Sequence, residues 1–128
     1  MKLLLDTCTF LWITLDAPEL SKRARELFVE PTNEIYLSAV SVWEIALKVS
    51  VGHLSIPGNR GNYIRTQREQ HGIDSLSLDE DTTLHLLRLP HLHKDPFDRM
   101  LICQALAEGL VILTPDDLIA RYPVRTEW

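Results

Sequence analysis

Residues 95–117 read DPFDRMLICQALAEGLVILTPDD, from Asp95 to Asp117. Phe97 to Glu108 is a helix-forming run, and Gly109 ends it, as glycine does where a helix closes on a left-handed residue. Leu110 to Leu113 is wholly apolar and bounded by turn-forming residues, the mark of a strand buried on both faces of a parallel sheet. Thr114-Pro115 then breaks the run and sets Asp116 just beyond the strand. A helix leading into a buried strand that ends on an acid is one half of an α/β repeat.

Working outward, the same alternation covers the chain. Lys2 to Leu5 is a short apolar run that stops at Asp6 and reads as the first strand. Thr7 to Leu15 follows as a helix that Thr7 can cap. Ser21 to Glu30 places Ala24, Leu27 and Phe28 on one side and Lys22, Arg23 and Glu26 on the other, an amphipathic helix. Glu34 to Leu37 reads as a strand and Ser38 to Ser50 as a helix. A polar helix is expected between Gly58 and Gly72, and Ile73 to Leu78 alternates as a half-buried strand does. Asp79 to Leu89 is a helix with Asp79 as its cap. His91 to Pro96 is a polar connection, a short helix runs through Ala120, and Val124 to Thr126 forms an edge strand. Strands alternating with helices predict a parallel sheet covered by helices on both faces. Residues 1–128 show no repeat, low-complexity segment or linker, so a single domain is expected.

Composition narrows the function. Apolar residues make up 45% of the 128 and charged residues 24%, ordinary for a globular domain. No apolar run reaches the ~18 residues of a membrane span. The opening apolar run is too short for the core of a secretion signal, so a cytoplasmic location is expected. Cys8 and Cys103 lack Cys-x-x-Cys spacing and read as reduced, buried thiols. The net charge of −5 runs against simple phosphate binding, which favours basic proteins.

Four acids occupy a particular kind of position. Asp6 directly follows a strand and Asp116 follows one after a Thr-Pro step, and ligands of open α/β sheets bind beyond the carboxyl ends of strands. Glu44 and Asp98 lie in the first turns of helices that start at that same edge. Four carboxylates in one cleft repel one another and rise in pKa unless a cation offsets them. All-oxygen ligation suits Mg²⁺ or Mn²⁺. A metal pair ~3.5–4 Å apart can activate water for phosphodiester hydrolysis without a nucleophilic side chain. Each acid also has a structural reading. Asp6 and Asp116 can cap helices, Ser41-Val42-Trp43-Glu44 has the form of a capping box, and Asp98 complements a helix dipole. Their joint placement favours a site.

Leu3-Leu4-Leu5-Asp6-Thr7, Val42-Trp43-Glu44-Ile45-Ala46, Asp95-Pro96-Phe97-Asp98-Arg99 and Leu113-Thr114-Pro115-Asp116 resemble, in order, the motifs of PIN-domain proteins, and within them the VapC-type toxins of bacteria. The resemblance spans nearly the whole chain. It implies an α/β, PIN-like fold with a central parallel sheet of four to five strands flanked by helices. It also implies a Mg²⁺- or Mn²⁺-dependent endoribonuclease acting on RNA, a homodimer, and control by a cognate antitoxin that supplies an arginine to the carboxylates. By position, Asp6, Glu44 and Asp98 are the core metal ligands, and Asp116 is a fourth acid reaching metal through water. Asp95 and Asp117 are nearby carboxylates of supporting or merely solvated character. The chain departs from the pattern at Cys8, where histidine is frequent, and at Cys103 and Gln104, where small residues are usual.

Other residues are weighed beside these. Arg99 either meets the carboxylates or a phosphate, or pairs with Asp95. His91 and His93 read as solvated or hydrogen-bonded loop residues, and Trp12 and Trp43 as core or interface. Lys22, Arg23 and Arg25, and again Arg60, Arg65 and Arg68, read as solvated helix faces that could also track RNA. Two alternatives to the nuclease stand: a non-catalytic PIN-fold binding module, and a phosphoacceptor domain using Asp6.

Overall fold

The computed structural model of the chain describes all 128 residues. Five parallel strands form one sheet: β1 (Lys2–Leu5), β2 (Glu34–Ser38), β3 (Asp74–Leu76), β4 (Val111–Leu113) and β5 (Thr126–Glu127). Their order across the sheet is β3-β2-β1-β4-β5. The connections are α1 (Thr7–Thr14), α2 (Lys22–Val29), α3 (Ala39–Ser50), α4 (Tyr63–Gln70), α5 (Glu80–Leu84) and α6 (Pro96–Glu108), with short 3₁₀ turns at His85–Arg88 and Ile119–Arg121.

The sheet is buried on both faces because consecutive residues of its central strands feed different cores. Leu3 and Leu5, level with Val111 and Leu113 on β4, join Phe10 and Ile13 of α1, Ala24 and Leu27 of α2 and Ile45 of α3. Leu4, level with Ile112, joins Leu101, Ile102 and Ala105 of α6 together with Ile119 and Tyr122. All of Leu3, Leu4 and Leu5 are fully shielded from water. Burying each such side chain stabilises the fold by roughly 1.5–3 kcal/mol. A period-2 strand whose two faces both pack must be apolar at every position, which is why β1 and β4 read as unbroken apolar runs.

Helix ends follow the chain's chemistry. Ser21 Oγ accepts from the Ala24 amide to start α2, and Asp79 Oδ1 accepts from Thr82 to start α5. Gly109 closes α6 at φ 68°, a left-handed residue that costs glycine little. Three local expectations are corrected. α1 is capped by Asp6, not Thr7. α3 is capped by Ser38, whose side chain accepts from Val40, so Ser41 lies inside the helix and no capping box forms. Glu44 is consequently in the second turn of α3 rather than the first. Asp79–Leu89 is not one α-helix, since α5 tightens to 3₁₀ after Leu84. No helix is long and apolar enough to cross a membrane.

Candidate metal centre

The strand order fixes where the site lies. The chain builds β1, β2 and β3 outward in one direction, then returns to place β4 on the other side of β1. The connections leaving β1 and β4 diverge, and the crevice between their carboxyl ends is the switch point where such sheets bind ligands. Asp6 leaves β1 there, its amide reaching the Leu113 carbonyl at the end of β4. Asp116 follows β4 by three residues.

Asp6 is 6% exposed. Its Oδ1 accepts from the Thr9 amide at 2.8 Å, the capping bond of α1. Its Oδ2 accepts from the Thr114 hydroxyl. Thr114 Oγ1 in turn accepts from the Asp116 amide at 3.1 Å, so one hydroxyl couples the ends of β1 and β4. Burial pushes the Asp6 carboxyl above its usual range; the Thr114 and Thr9 bonds pull it down, and the Asp116 charge adds to the rise.

Glu44 is 5% exposed. Its Oε1 accepts from Thr7 Oγ1 at 2.7 Å, and Thr7 can accept in turn from Ser41 Oγ at 3.0 Å. Its Oε2 is paired with Lys48 one turn along α3. That pairing raises the Lys48 ammonium above its ordinary value, chiefly through the hydrogen bond to Glu44. The Glu44–Lys48 spacing is the i,i+4 pattern that favours an ion pair on a helix.

Asp98 stands in the first turn of α6, which Asp95 caps by accepting from the Phe97 and Asp98 amides at 2.8 and 3.0 Å. Asp98 Oδ2 lies 3.0 Å from His93 Nε2, and Asp116 Oδ2 lies 3.1 Å from the same nitrogen. Asp116 Oδ1 accepts from the Leu118 amide at 2.8 Å. The Asp98 carboxyl is pushed up to about 7, first by burial, then by the charges of Asp95 and Asp6; His93 opposes the rise and Glu44 adds to it.

Asp98 feels the charges of Asp6 and Glu44, and Asp6 feels that of Asp116, but at ligand spacing only Asp98 and Asp116 come together, with His93; Asp6 and Glu44 lie outside that group. Ligand atoms of His93, Asp98 and Asp116 approach one another within 4.8 Å, a spacing that can hold a cation. Asp98 Oδ1 has no hydrogen-bond partner, and every other carboxylate oxygen of the four keeps an unused lone pair. An unpartnered carboxylate oxygen on Asp98 beside other carboxylate oxygens is a set of hard donors, the chemistry that fits a hard divalent cation.

Several sequence expectations change. Of the two readings offered for His93, solvated or hydrogen-bonded, the structure shows the second: its side chain is 9% exposed and bonded to two of the four acids. His91 is exposed, as expected. Lys48 and Thr114 carry no role in the sequence reading, although the i,i+4 spacing marks Lys48 and the position after a strand marks Thr114; Thr7 and Ser41 figure there only as helix caps, whereas Thr7 bonds Glu44 and Ser41 bonds Thr7. Asp95 is a helix cap, and Asp117 is exposed in the turn. Arg99 pairs with neither Asp95 nor Asp98: it donates to the Leu89 carbonyl at 3.1 Å, and its buried Nε has no partner. Cys103 is buried in the α6 core, but Cys8 is exposed. Partial burial and the charges of Asp6, Glu44 and Asp98 push the Cys8 thiol up to about 11, so it is no ready nucleophile. Gln104 is buried, accepting from Ser38 Oγ and donating to the Ser77 carbonyl, which explains a polar residue in that helix.

Lys22 and Arg25 pair with Glu26 and Asp16 on a solvated helix face. Lys22 and Arg25 also border a concavity of about 590 Å³ with Ile13, Leu20 and Phe28, and Arg60, Arg65 and Arg68 border another of about 470 Å³ with Ala39, Val42 and Ile64. Trp12 packs against the core and on Trp128.

Fold and site together define a parallel α/β domain with a carboxylate cluster at its switch point, and the chain belongs to the PIN domain family, whose profile matches residues 3–124. It is similar to Ribonuclease VapC16 of Mycobacterium tuberculosis, with 32% identity over 69 residues. That match takes in 54% of this chain and 49% of the relative, so the chain spans about half the length of the curated relative it matches. Among solved structures it resembles VapBC2 from Rickettsia felis bound to a DNA fragment from their promoter, with a TM-score of 0.72, 15% identity, and coverage of 99% of this chain and 98% of that one. DNA-bound VapBC from Salmonella typhimurium gives 0.68, 19%, 99% and 97%. VapBC-1 from nontypeable Haemophilus influenzae gives 0.65, 18%, 99% and 97%. At these identities the structural likeness is one of fold.

Proposed function

We propose that the chain is a Mg²⁺- or Mn²⁺-dependent endoribonuclease, the toxin of a VapBC-type toxin–antitoxin pair. One observation carries the reading: Asp6 and Asp116 are coupled through Thr114 at the ends of β1 and β4, and Asp98 and Asp116 meet at His93, so acids from separate elements gather at the switch point. Family membership and the similarity to a ribonuclease support it.

Asp6, Glu44 and Asp98 would hold the cation, with Asp116 reaching it through water. A bound divalent cation supplies a more acidic water and offsets the charge gathering on the phosphate. The chain does the remaining work. Thr9 and Thr114 fix the Asp6 carboxylate, Thr7 fixes Glu44, and the Asp95 cap fixes the start of α6 and with it Asp98. Lys48 neutralises Glu44 while no cation is present. Arg60, Arg65 and Arg68 offer positive charge for an RNA backbone, which answers the objection raised by the acidic total. Asp95 and Asp117 act at most as supporting groups, and Arg99 is a structural donor.

The VapBC complexes among the fold's neighbours support a cognate antitoxin and a cytoplasmic setting. Trp43, Leu47 and Val51 form an exposed apolar stripe along α3, at 62%, 43% and 57% exposure. Such a stripe suits burial by an antitoxin segment or in a homodimer. The phosphoacceptor reading loses ground because both Asp6 oxygens are engaged by donors.

The test is RNA cleavage by the purified chain with Mg²⁺ or Mn²⁺. Cleavage is expected, with a loss greater than about a hundredfold in Asp6→Ala and Asp98→Ala, since even groups that only support a ligand cost 10–100-fold. Cleavage that survives chelation, or is unchanged in both variants, overturns the reading.

A further inference from the structure

His93 completes a three-residue cluster with Asp98 and Asp116 whose spacing alone would pass for a His-Asp-Asp metal site. Its hydrogen bonds say otherwise. The Asp95 amide donates to His93 Nδ1 at 3.2 Å. An amide N–H can approach only an unprotonated ring nitrogen, so the ring proton resides on Nε2. Nε2–H faces the two carboxylate oxygens, at 3.0 Å from Asp98 and 3.1 Å from Asp116. A nitrogen that carries its proton has no lone pair for a cation. Ligation through Nε2 would require moving the proton to Nδ1, directly against the Asp95 N–H.

The ring cannot easily turn away to allow that. Tyr122, buried beside the 3₁₀ turn at Ile119–Arg121, donates its hydroxyl to the Pro90 carbonyl at 2.8 Å. The same oxygen accepts from the Leu92 and His93 amides at 3.0 and 2.9 Å. One phenol therefore holds both ends of the Pro90–His93 loop, and the Asp95 cap holds the next step. Against this fixed loop the imidazole donates into the gap between β4's acid and α6's acid. It occupies one oxygen of each, and only Asp98 Oδ1 stays without a partner.

We propose that His93 is a positioning residue rather than a ligand: its Nε2–H clamps Asp98 to Asp116 and leaves Asp98 Oδ1 as the free donor oxygen for the cation. This inference rests on the metal-centre reading, yet its tests separate the two. In the metal-free protein, ¹⁵N NMR of His93 is expected to show the proton on Nε2; a proton on Nδ1 overturns the clamp whether or not metal binds. In Mn²⁺-loaded protein, pulsed EPR is expected to show no directly bound nitrogen. A coordinated-nitrogen coupling that disappears in His93→Gln overturns the inference and leaves the metal reading intact. Calorimetric titration with Mn²⁺ should give a 10–100-fold loss of affinity in His93→Ala, the usual cost of losing a group that orients a ligand. His93→Gln, whose amide can still donate to both acids, should recover most of it. Equal losses in the two variants, with both folded by circular dichroism, count against the clamp. Failure of the wild-type chain to bind Mn²⁺ overturns the metal reading itself.

Discussion

The two halves of the carboxylate cluster are built on different principles. Asp6 and Glu44 are almost fully buried and are held by hydroxyls, an amide and a lysine from regular elements packed on the sheet. Asp98 and Asp116 are more open, their side chains 19% and 31% exposed, and they meet through one loop histidine. The first half is set by the same packing that makes the fold. The second depends on a polar connection pinned by Tyr122. Preorganised charge is effective when its supports are rigid. One side of the site is thus held by the core and the other by a hydrogen-bonded loop.

The sharpest way to break this distinction is Thr114→Val, which keeps shape and deletes the hydroxyl shared by Asp6 and the Asp116 amide. It leaves a buried carboxylate one donor short, and a loss of about 2 kcal/mol is expected in urea unfolding. Because the Thr114 bond lowers the Asp6 pKa, the loss should be larger at pH 8 than at pH 5. An equal loss at both pH values would mean that the hydroxyl matters for packing alone.

The open half makes the opposite prediction. Asp98 has its folded-state pKa raised from 3.8 to about 7. A raised pKa means that the native state binds the proton more tightly than the unfolded chain. The group's contribution is therefore most favourable at low pH and declines as pH rises from about 4 through about 7. Asp98→Asn removes the ionised form, so the metal-free variant should be more stable than wild type at pH 8, by on the order of 1 kcal/mol. The gain should vanish near pH 4. A variant no more stable at pH 8 would show that burial and the neighbouring acids do not hold the Asp98 carboxyl above its ordinary range.

The smallest effect belongs to Lys48→Met. Lys48 is half exposed, and such a pair is worth less than about 1 kcal/mol. The melting temperature should fall by a few degrees at most, while Mn²⁺ affinity rises severalfold as the competing ammonium is removed. A fall in affinity would assign Lys48 to metal binding rather than to holding Glu44 in its absence.

The β1 and β4 runs were legible in the sequence because strands buried on both faces tolerate no polar residue, so their ends, and with them Asp6 and Asp116, could be placed from pattern alone. Asp98 was legible from the start of a helix with a clear glycine stop. Glu44 was placed at the right edge but one turn early, because Ser38 outcompetes Ser41 for the cap when β2 runs directly into α3. The bridge that His93 makes between Asp98 and Asp116 was not legible, for a different reason. The backbone of the His93 loop is held by Tyr122, distant in sequence, and no local period records a loop folded against a remote phenol. Arg99 was misjudged similarly: its neighbour in sequence is an acid, but α6 turns the guanidinium toward the Leu89 carbonyl.

The shared β1 wall has a consequence for how the molecule comes apart. Leu3 and Leu5 belong to one core and Leu4 to the other, and Asp6 is the next residue. Neither core can loosen without stripping a face of that strand. The amides of β1 should thus be among the last to exchange with solvent, and the two layers should melt as a single unit. Asp6 is then tethered to a segment expected to persist longest, and its carboxylate should stay in place until that strand is lost.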